Sequence, residues 1–126
     1  MNRPEIYFVD DDATVLTAMK RLLRACGYQV TVFQSAKAFL DHPVDRDDKS
    51  CLVVDIHMPG QSGIDLHRAV RAAKRDLPLV FATGAADFRI VEQACAGESI
   101  ELLQKPFTDV ELLSAVARAS ARRVNV

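Results

Sequence analysis

The sequence holds no apolar run near the ~18 residues of a membrane span, so nothing in it reads as a transmembrane helix. It also has no excess of either charge. Sixteen Lys and Arg face seventeen Asp and Glu, a formal net charge of −1. Binding of DNA or RNA by this chain itself is disfavoured, because such binding rests on a basic surface that neutralises phosphates. Paired cysteines are missing as well. Cys26, Cys51 and Cys95 are scattered and odd in number, with no CxxC or zinc-ligand spacing. They read as packing residues, free thiols suited to a reducing cytoplasm. The N-terminus (Met1 to Glu5) reaches an acidic cluster by Asp10, which leaves no room for a signal-peptide core. Internal repeats, low-complexity tracts and linkers are absent.

What is present is ordinary globular material. Hydrophobic residues make up 49% and charged residues 26% of 126 residues, enough for one domain with its own core. The expected single domain covers residues 1–126, with an ordered core of about residues 4–122. Short apolar runs alternate with amphipathic stretches. Ile6 to Val9, Tyr28 to Phe33, Cys51 to Val54, Leu79 to Ala82 and Ile100 to Leu103 read as strands. Val15, Leu16, Met19, Leu22, Leu23 and Cys26 recur at helical spacing, and Gly27 is a natural stop. Ser35 can cap a short helix through Leu40. Residues 41–50 read as a polar loop. Ile64, Leu66, Ala69, Val70 and Ala73 mark a third helix, Asp87 opens a fourth through Ala96, and Thr108 to Glu111 is a capping box for a fifth. Five strands alternating with five helices predict an α/β fold: a (βα)5 flavodoxin-like parallel sheet, order 2-1-3-4-5, with helices on both faces.

In such sheets the ligand site lies beyond the carboxyl ends of the strands. Asp10, Asp11 and Asp12 follow the first strand, Asp55 the third, Thr83 the fourth, and Lys105 and Pro106 the fifth. Each has a simpler reading. The three acids suit a solvated turn and helix cap, Asp55 and Thr83 suit strand-end turns, and Lys105 suits a solvated surface. Their coincidence at neighbouring strand ends is the signal. Clustered carboxylates cannot all stay ionised without compensation, and a divalent cation supplies it. A hydroxyl and an ammonium then suit phosphoryl oxygens. The set points to phosphoryl transfer, with a carboxylate as acceptor or metal ligand.

These residues are familiar. Phe8-Val9-Asp10-Asp11-Asp12, Val53-Val54-Asp55-Ile56-His57-Met58-Pro59-Gly60 with Gly63, Phe81-Ala82-Thr83-Gly84, and Lys105-Pro106-Phe107 closely resemble the receiver domain of two-component response regulators, the CheY-like family. The match runs in order over nearly the whole chain. The Cys51-Leu52 lead-in, Phe39-Leu40 and the Thr83-Gly84 turn look most like the FixJ-type subgroup. The resemblance implies a bacterial, cytoplasmic signalling domain rather than an enzyme, with at most self-phosphorylation and slow autodephosphorylation. Asp55 is then the phosphoacceptor, served by a sensor histidine kinase or phosphotransfer protein. Mg²⁺, or Mn²⁺ in its place, is held by Asp11 directly, Asp10 partly through water, Asp55, and the backbone carbonyl of His57. Thr83 and Lys105 take phosphoryl oxygens, and the Lys105-Pro106 bond is expected to be cis. Asp12 is commonly acidic in the family but less essential. His57 and Ala85 flank the phosphoryl group, though His57 also reads as a solvent-facing loop residue. His42 and His67 read as surface residues. The implied output face is the fourth helix, fifth strand and fifth helix, with homodimerisation there on phosphorylation.

The chain departs from the family pattern in two places. Leu102 replaces the usual switch aromatic, and the Ala-Gly ending the fourth helix is shifted to Gly97-Glu98. Both departures favour an alternative, a pseudo-receiver that keeps the fold without phosphorylation. A second alternative is a haloacid-dehalogenase-like phosphatase, since Asp10-x-Asp12-x-Thr14 matches that opening motif in form. It leaves Asp55 without a role, and beyond Lys105 only Asp109 and Glu111 remain as late acids. The chain carries no helix-turn-helix and no catalytic domain. It reads as a stand-alone receiver or as part of a longer regulator, and the FixJ-type resemblance favours a DNA-binding domain following it.

Overall fold

The computed structural model describes residues 5–42, 50–56, 63–72, 77–94 and 100–124. Ten elements alternate along the chain: β1 (Glu5–Val9), α1 (Ala13–Ala25), β2 (Gln29–Phe33), α2 (Ala36–Leu40), β3 (Cys51–Asp55), α3 (Gly63–Ala72), β4 (Leu79–Gly84), α4 (Phe88–Ala94), β5 (Ile100–Lys105) and α5 (Asp109–Val124). All strand pairings are parallel, and the sheet order is β2-β1-β3-β4-β5, as the alternation predicts.

The central strand explains the layering. Every residue of β3 is buried, because helices cover both faces of the sheet. Alternate residues serve opposite cores. Cys51 and Val53 pack with Ile6, Phe8, Leu23, Leu112 and Val116 under α1 and α5. Leu52 and Val54 pack with Tyr7, Val9, Phe39, Leu66 and Phe81 under α2, α3 and α4. This is the period-two geometry of a strand. Cys51 belongs to the first core, where burial pushes its thiol up to about 12 and keeps it protonated. That agrees with its reading as a packing residue. Cys26 is a half-buried free thiol against the same core, and Cys95 lies outside the described residues.

The helix boundaries follow the local signals. Asp12 caps α1 and Ser35 caps α2, Ser35 Oγ accepting the Ala38 amide at 3.1 Å. At α5 the capping box closes both ways, Thr108 N donating to Glu111 Oε1 at 3.0 Å and Glu111 N to Thr108 Oγ1 at 3.1 Å. At the end of α1, Gly27 takes φ 93°, its amide bonds Arg24 O at 3.0 Å, and Tyr28 N reaches Leu23 O at 3.0 Å. This is a Schellman closure, and it delivers Tyr28 into the core beside Leu23.

Two expectations change in extent. β4 and β5 run two residues beyond the predicted Ala82 and Leu103. Thr83 pairs with Gln104 and Gly84 with Lys105, so the ladder continues through the site residues instead of ending before them. The predicted loop at 41–50 and the end of the predicted fourth helix fall partly outside the described residues.

Gly27→Ala is expected to lower stability by about 1–2 kcal/mol, since an L side chain resists the left-handed region. A lower urea midpoint at unchanged m-value would show it. An unchanged midpoint would mean that the turn does not need its glycine.

Candidate functional site

The sheet register gathers the chemistry at one edge. Val9 pairs with Val54, Asp55 with Ala82, and Gly84 with Lys105. Asp10 therefore leaves β1 beside the end of β3, where Asp55 is the last strand residue. Thr83 and Lys105 lie on the next two strands at the same end. Ile56 N donates to Ala82 O at 3.0 Å, which holds the exit of β3 against β4. Asp10 N donates to Phe33 O at 3.1 Å, which ties the exit of β1 to the end of β2.

Among the described residues, Asp10, Asp11 and Asp55 can each offer a carboxylate oxygen with all three within 4.8 Å of one another. Asp10 and Asp55 are buried, and Asp11 is exposed. Burial chiefly, with help from the Asp55 carboxylate, raises the Asp10 carboxyl above its ordinary 3.8; the Asp12 amide and Lys105 pull the other way. The ammonium of Lys105 lies 3.0 Å from Asp55 Oδ2. Lys105 is half-exposed on its side of the pocket, while Asp55 is enclosed. The donor set is all oxygen and carries more negative charge than one ammonium cancels. That is the chemistry a hard divalent cation prefers, so these residues fit such an ion.

The third acid of the run does something else. Asp12 Oδ1 accepts the amides of Thr14 at 2.9 Å and Val15 at 3.4 Å, capping α1. Thr83 is fully buried, and among the described residues its hydroxyl makes one long contact, 3.4 Å, to its neighbour Gly84 O. Ala85 is exposed just beyond it. The Lys105–Pro106 peptide is cis, and Pro106 is exposed. Leu102 is half-buried, packed on the α3–α4 side of the sheet, and lines a groove of about 400 Å³ with Phe88, Val110 and Arg118. His57 and Glu98 lie outside the described residues, as do Met58 to Gly60 and Gly97.

Some contributors carry their signal only in three dimensions. A Cβ on Gly63 would lie 3.1 Å from Asp55 O and 3.1 Å from Ile56 Cα, so α3 starts this close to β3 only with glycine there. Gly63 N also donates to Ile56 O at 3.0 Å, closing the loop that follows Asp55. The sequence motif includes this glycine without giving the reason. Glu101, buried on β5, pairs with Arg118 of α5, a link that periodicity does not reveal. His42 and His67 are not plain surface residues. His42 is half-buried, edge-on to Tyr7 and Phe33 at 5.7 and 5.3 Å, and His67 meets Phe81 at 5.8 Å. An apolar imidazole face next to a ring gap packs there regardless of its polar edge.

The raised Asp10 carboxyl has a stability consequence. A carboxyl whose folded pKa exceeds its unfolded value costs nothing below the unfolded pKa, and its penalty grows as pH rises through the folded one. Asp10→Asn is therefore expected to raise the melting temperature of the protein in chelator at pH 7, and to lose that advantage near pH 3. Thermal unfolding at both values checks it; an equal gain at the two would rule out the ionisation penalty as the cause.

The response regulator receiver domain family matches residues 6–117 of the chain. TodT of Pseudomonas putida, a response regulator protein, is 36% identical over 114 residues, 90% of this chain and 50% of its own length. The transcriptional regulatory protein FixJ of Bradyrhizobium diazoefficiens is 34% identical over 114 residues, 90% of this chain and 55% of its own. The chain thus spans about half the length of the curated relatives it matches. The crystal structure of a response regulator receiver domain protein from Clostridium thermocellum superposes with a TM-score of 0.85 at 25% identity, covering 98% of both chains. Among the described residues no helix is long and apolar enough to cross a membrane. With its sheet order, its acidic edge and these relatives in agreement, the chain belongs to the receiver domain family of two-component response regulators.

Proposed function

We propose that this chain accepts a phosphoryl group on Asp55 from a phosphohistidine of a sensor histidine kinase or phosphotransfer protein. The observation that carries the reading is the position of Asp55. Its enclosed carboxylate stands between two further carboxylates and the Lys105 ammonium, 3.0 Å away. An Asp55 oxygen forms the bond to phosphorus as the phosphorus–nitrogen bond breaks. The imidazole keeps the bonding pair and takes a proton from solvent. Such transfers need positioning and charge neutralisation more than covalent help from the protein. Lys105 would turn from Asp55 to a phosphoryl oxygen, and the buried Thr83 hydroxyl, with its long contact to replace, would turn to another. Asp10, Asp11 and Asp55 would hold Mg²⁺, or Mn²⁺, with the carbonyl of His57 as a further ligand. When bound, that ion neutralises the charge that accumulates between the carboxylates and the incoming group. Ala85, small and exposed two residues after Thr83, leaves water a path to the acyl phosphate and so permits its autodephosphorylation.

The pseudo-receiver and phosphatase readings are weaker. Asp55 and Lys105 are already in contact, which a pure interaction module would not require. The phosphatase motif needs Asp12 as its second acid, and the Asp12 carboxylate is committed to the α1 cap. One domain over residues 1–126, acting in the cytoplasm as the receiving half of a longer regulator, is the organisation we infer from relatives twice its length.

Intact mass after incubation with acetyl phosphate tests the chemistry. A phosphoryl adduct is expected with Mg²⁺, lost in chelator and lost in Asp55→Ala. A folded, cation-binding protein that takes up nothing from acetyl phosphate or from a phosphohistidine donor would overturn the reading.

The output face follows from exposed apolar groups. Ile90 on α4 and Val110 on α5, 63% and 71% exposed, are the large hydrophobic residues left in solvent among those described. Val110 borders the groove over β5, with Glu111 and Arg118 on its rim. A face carrying both charge signs can meet its own copy about a two-fold axis. Phosphorylation is therefore expected to drive dimerisation through α4, β5 and α5. Sedimentation of the beryllofluoride-treated protein should show a dimer that Val110→Glu abolishes. A monomer at high concentration would count against this face.

A further inference from the structure

Three acids stand in a row after β1, and the structure divides their labour. Asp10 points into the buried pocket. Asp11 is exposed and still brings an oxygen within reach of the other two. Asp12 contributes no oxygen to that group, and its carboxylate is spent on Thr14 N and Val15 N. Its backbone is engaged on both sides. The Asp12 amide donates to Asp10 Oδ1 at 2.9 Å, and the Asp12 carbonyl accepts Leu16 N at 3.1 Å. One residue thus fixes the first turn of α1 and one oxygen of the buried carboxylate.

The coupling has a physical basis. An N-cap residue holds extended backbone angles that the following helix does not share, and Asp12 sits at φ −92° and ψ 110°. The cap locks that backbone onto the helix with its amide reaching back to Asp10. If the cap lets go, the Asp12 backbone is free to enlarge the helix or fray, and the amide leaves Asp10. The buried carboxylate then loses the backbone donor that held one of its oxygens. Its remaining oxygen also loses the orientation it needs toward Asp11 and Asp55.

We propose that Asp12 is the positioning residue of the acidic pocket, holding Asp10 through its backbone amide while its own carboxylate caps α1, and that its charge is dispensable. This rests on the reading of the pocket as a divalent-cation site for its affinity readout, but not for its structural one. Asn and Ser cap a helix nearly as well as Asp, and Ala does not. Charge and cap can therefore be separated at one position.

The experiment uses Asp12→Asn, Asp12→Ser and Asp12→Ala in the full chain. The first measurement is amide hydrogen exchange of residue 12 in chelator. Protection should be kept in the Asn and Ser variants and fall about fivefold in the Ala variant, the typical loss when an N-cap side chain is removed. The second is the Mn²⁺ dissociation constant by titration. It should stay within about twofold of wild type for Asn and Ser and rise about fivefold for Ala. Equal weakening by Asn and Ala would overturn the proposal in favour of a direct charge effect. Unchanged protection in Asp12→Ala would overturn it as well. Wild type that binds no Mn²⁺ would defeat the cation reading of the pocket, while the exchange comparison would still decide the role of Asp12.

Discussion

The structure turns on one electrostatic problem, two buried carboxylates at the same sheet edge. Oxygens of Asp10 and Asp55 come within 4.8 Å of each other, which at an effective dielectric of ~20 is a repulsion of about 3.5 kcal/mol. The Lys105 ammonium at 3.0 Å from Asp55 offers about 5 kcal/mol on the same scale, and less in practice because it is partly in water. One cation roughly balances one neighbouring acid. By formal charge the two carboxylates already outnumber the one ammonium, and Asp11 deepens the excess. A pocket in this condition is incomplete, and what completes it must be positive or must bring positive charge with it. Burial first, and the Asp55 carboxylate after it, raises the Asp10 carboxyl in the protein alone.

The fold accepts this cost through main-chain contacts around the edge. Asp10 is tied to β2 through Phe33 O and to α1 through the Asp12 amide. Asp55 is fixed by its pairing with Ala82 and by the Ile56 amide on Ala82 O. Gly63 lets α3 press against the Asp55 carbonyl and then bonds Ile56 O. Of these contacts the Asp12 amide alone draws on an acidic side chain, through one Asp10 oxygen; the others are main-chain to main-chain. The apolar interior of β3 supports the arrangement from below, since a strand buried along its whole length cannot shift register to relieve the repulsion.

How much of this was legible in the sequence depends on the range of the interaction. Period-two runs and helical spacing are local, and they located all ten elements and the strand order. Caps are local too: Ser35, Thr108 with Glu111, and the Gly27 stop read correctly because each signal spans four residues or fewer. The strand ends read short because Thr83, Gly84, Gln104 and Lys105 look like turn and surface residues singly and extend the ladder only as pairs. His42 read as surface because its partners, Tyr7 and Phe33, come from strands far back in the chain. The acidic set was legible as types at strand ends, and the resemblance set Asp11 apart from Asp12, while the assignment of the α1 cap to Asp12 alone was not legible. Which of two adjacent acids caps a helix and which faces a pocket depends on backbone angles, and composition does not carry those.

Leu102 shows where local legibility meets a long-range consequence. It lies opposite Phe81 in the β4–β5 ladder, and Phe81 is fully buried, so the pair has one anchored side and one side open to the groove beneath Phe88. A branched aliphatic side chain fills less of that groove than a ring and cannot swing in as a rigid lever. If a phosphoryl group draws Thr83 inward, the displacement must therefore travel along the backbone. The path is short. Thr83 leads into a turn where Asp87 N bonds Gly84 O at 3.2 Å and Val91 N bonds Asp87 O at 3.0 Å, and Phe88 opens α4 on the groove. A hydrogen-bonded turn of this length transmits displacement rather than absorbing it. With Leu102 on one wall and Phe88 on the other, the groove lies where that linkage ends.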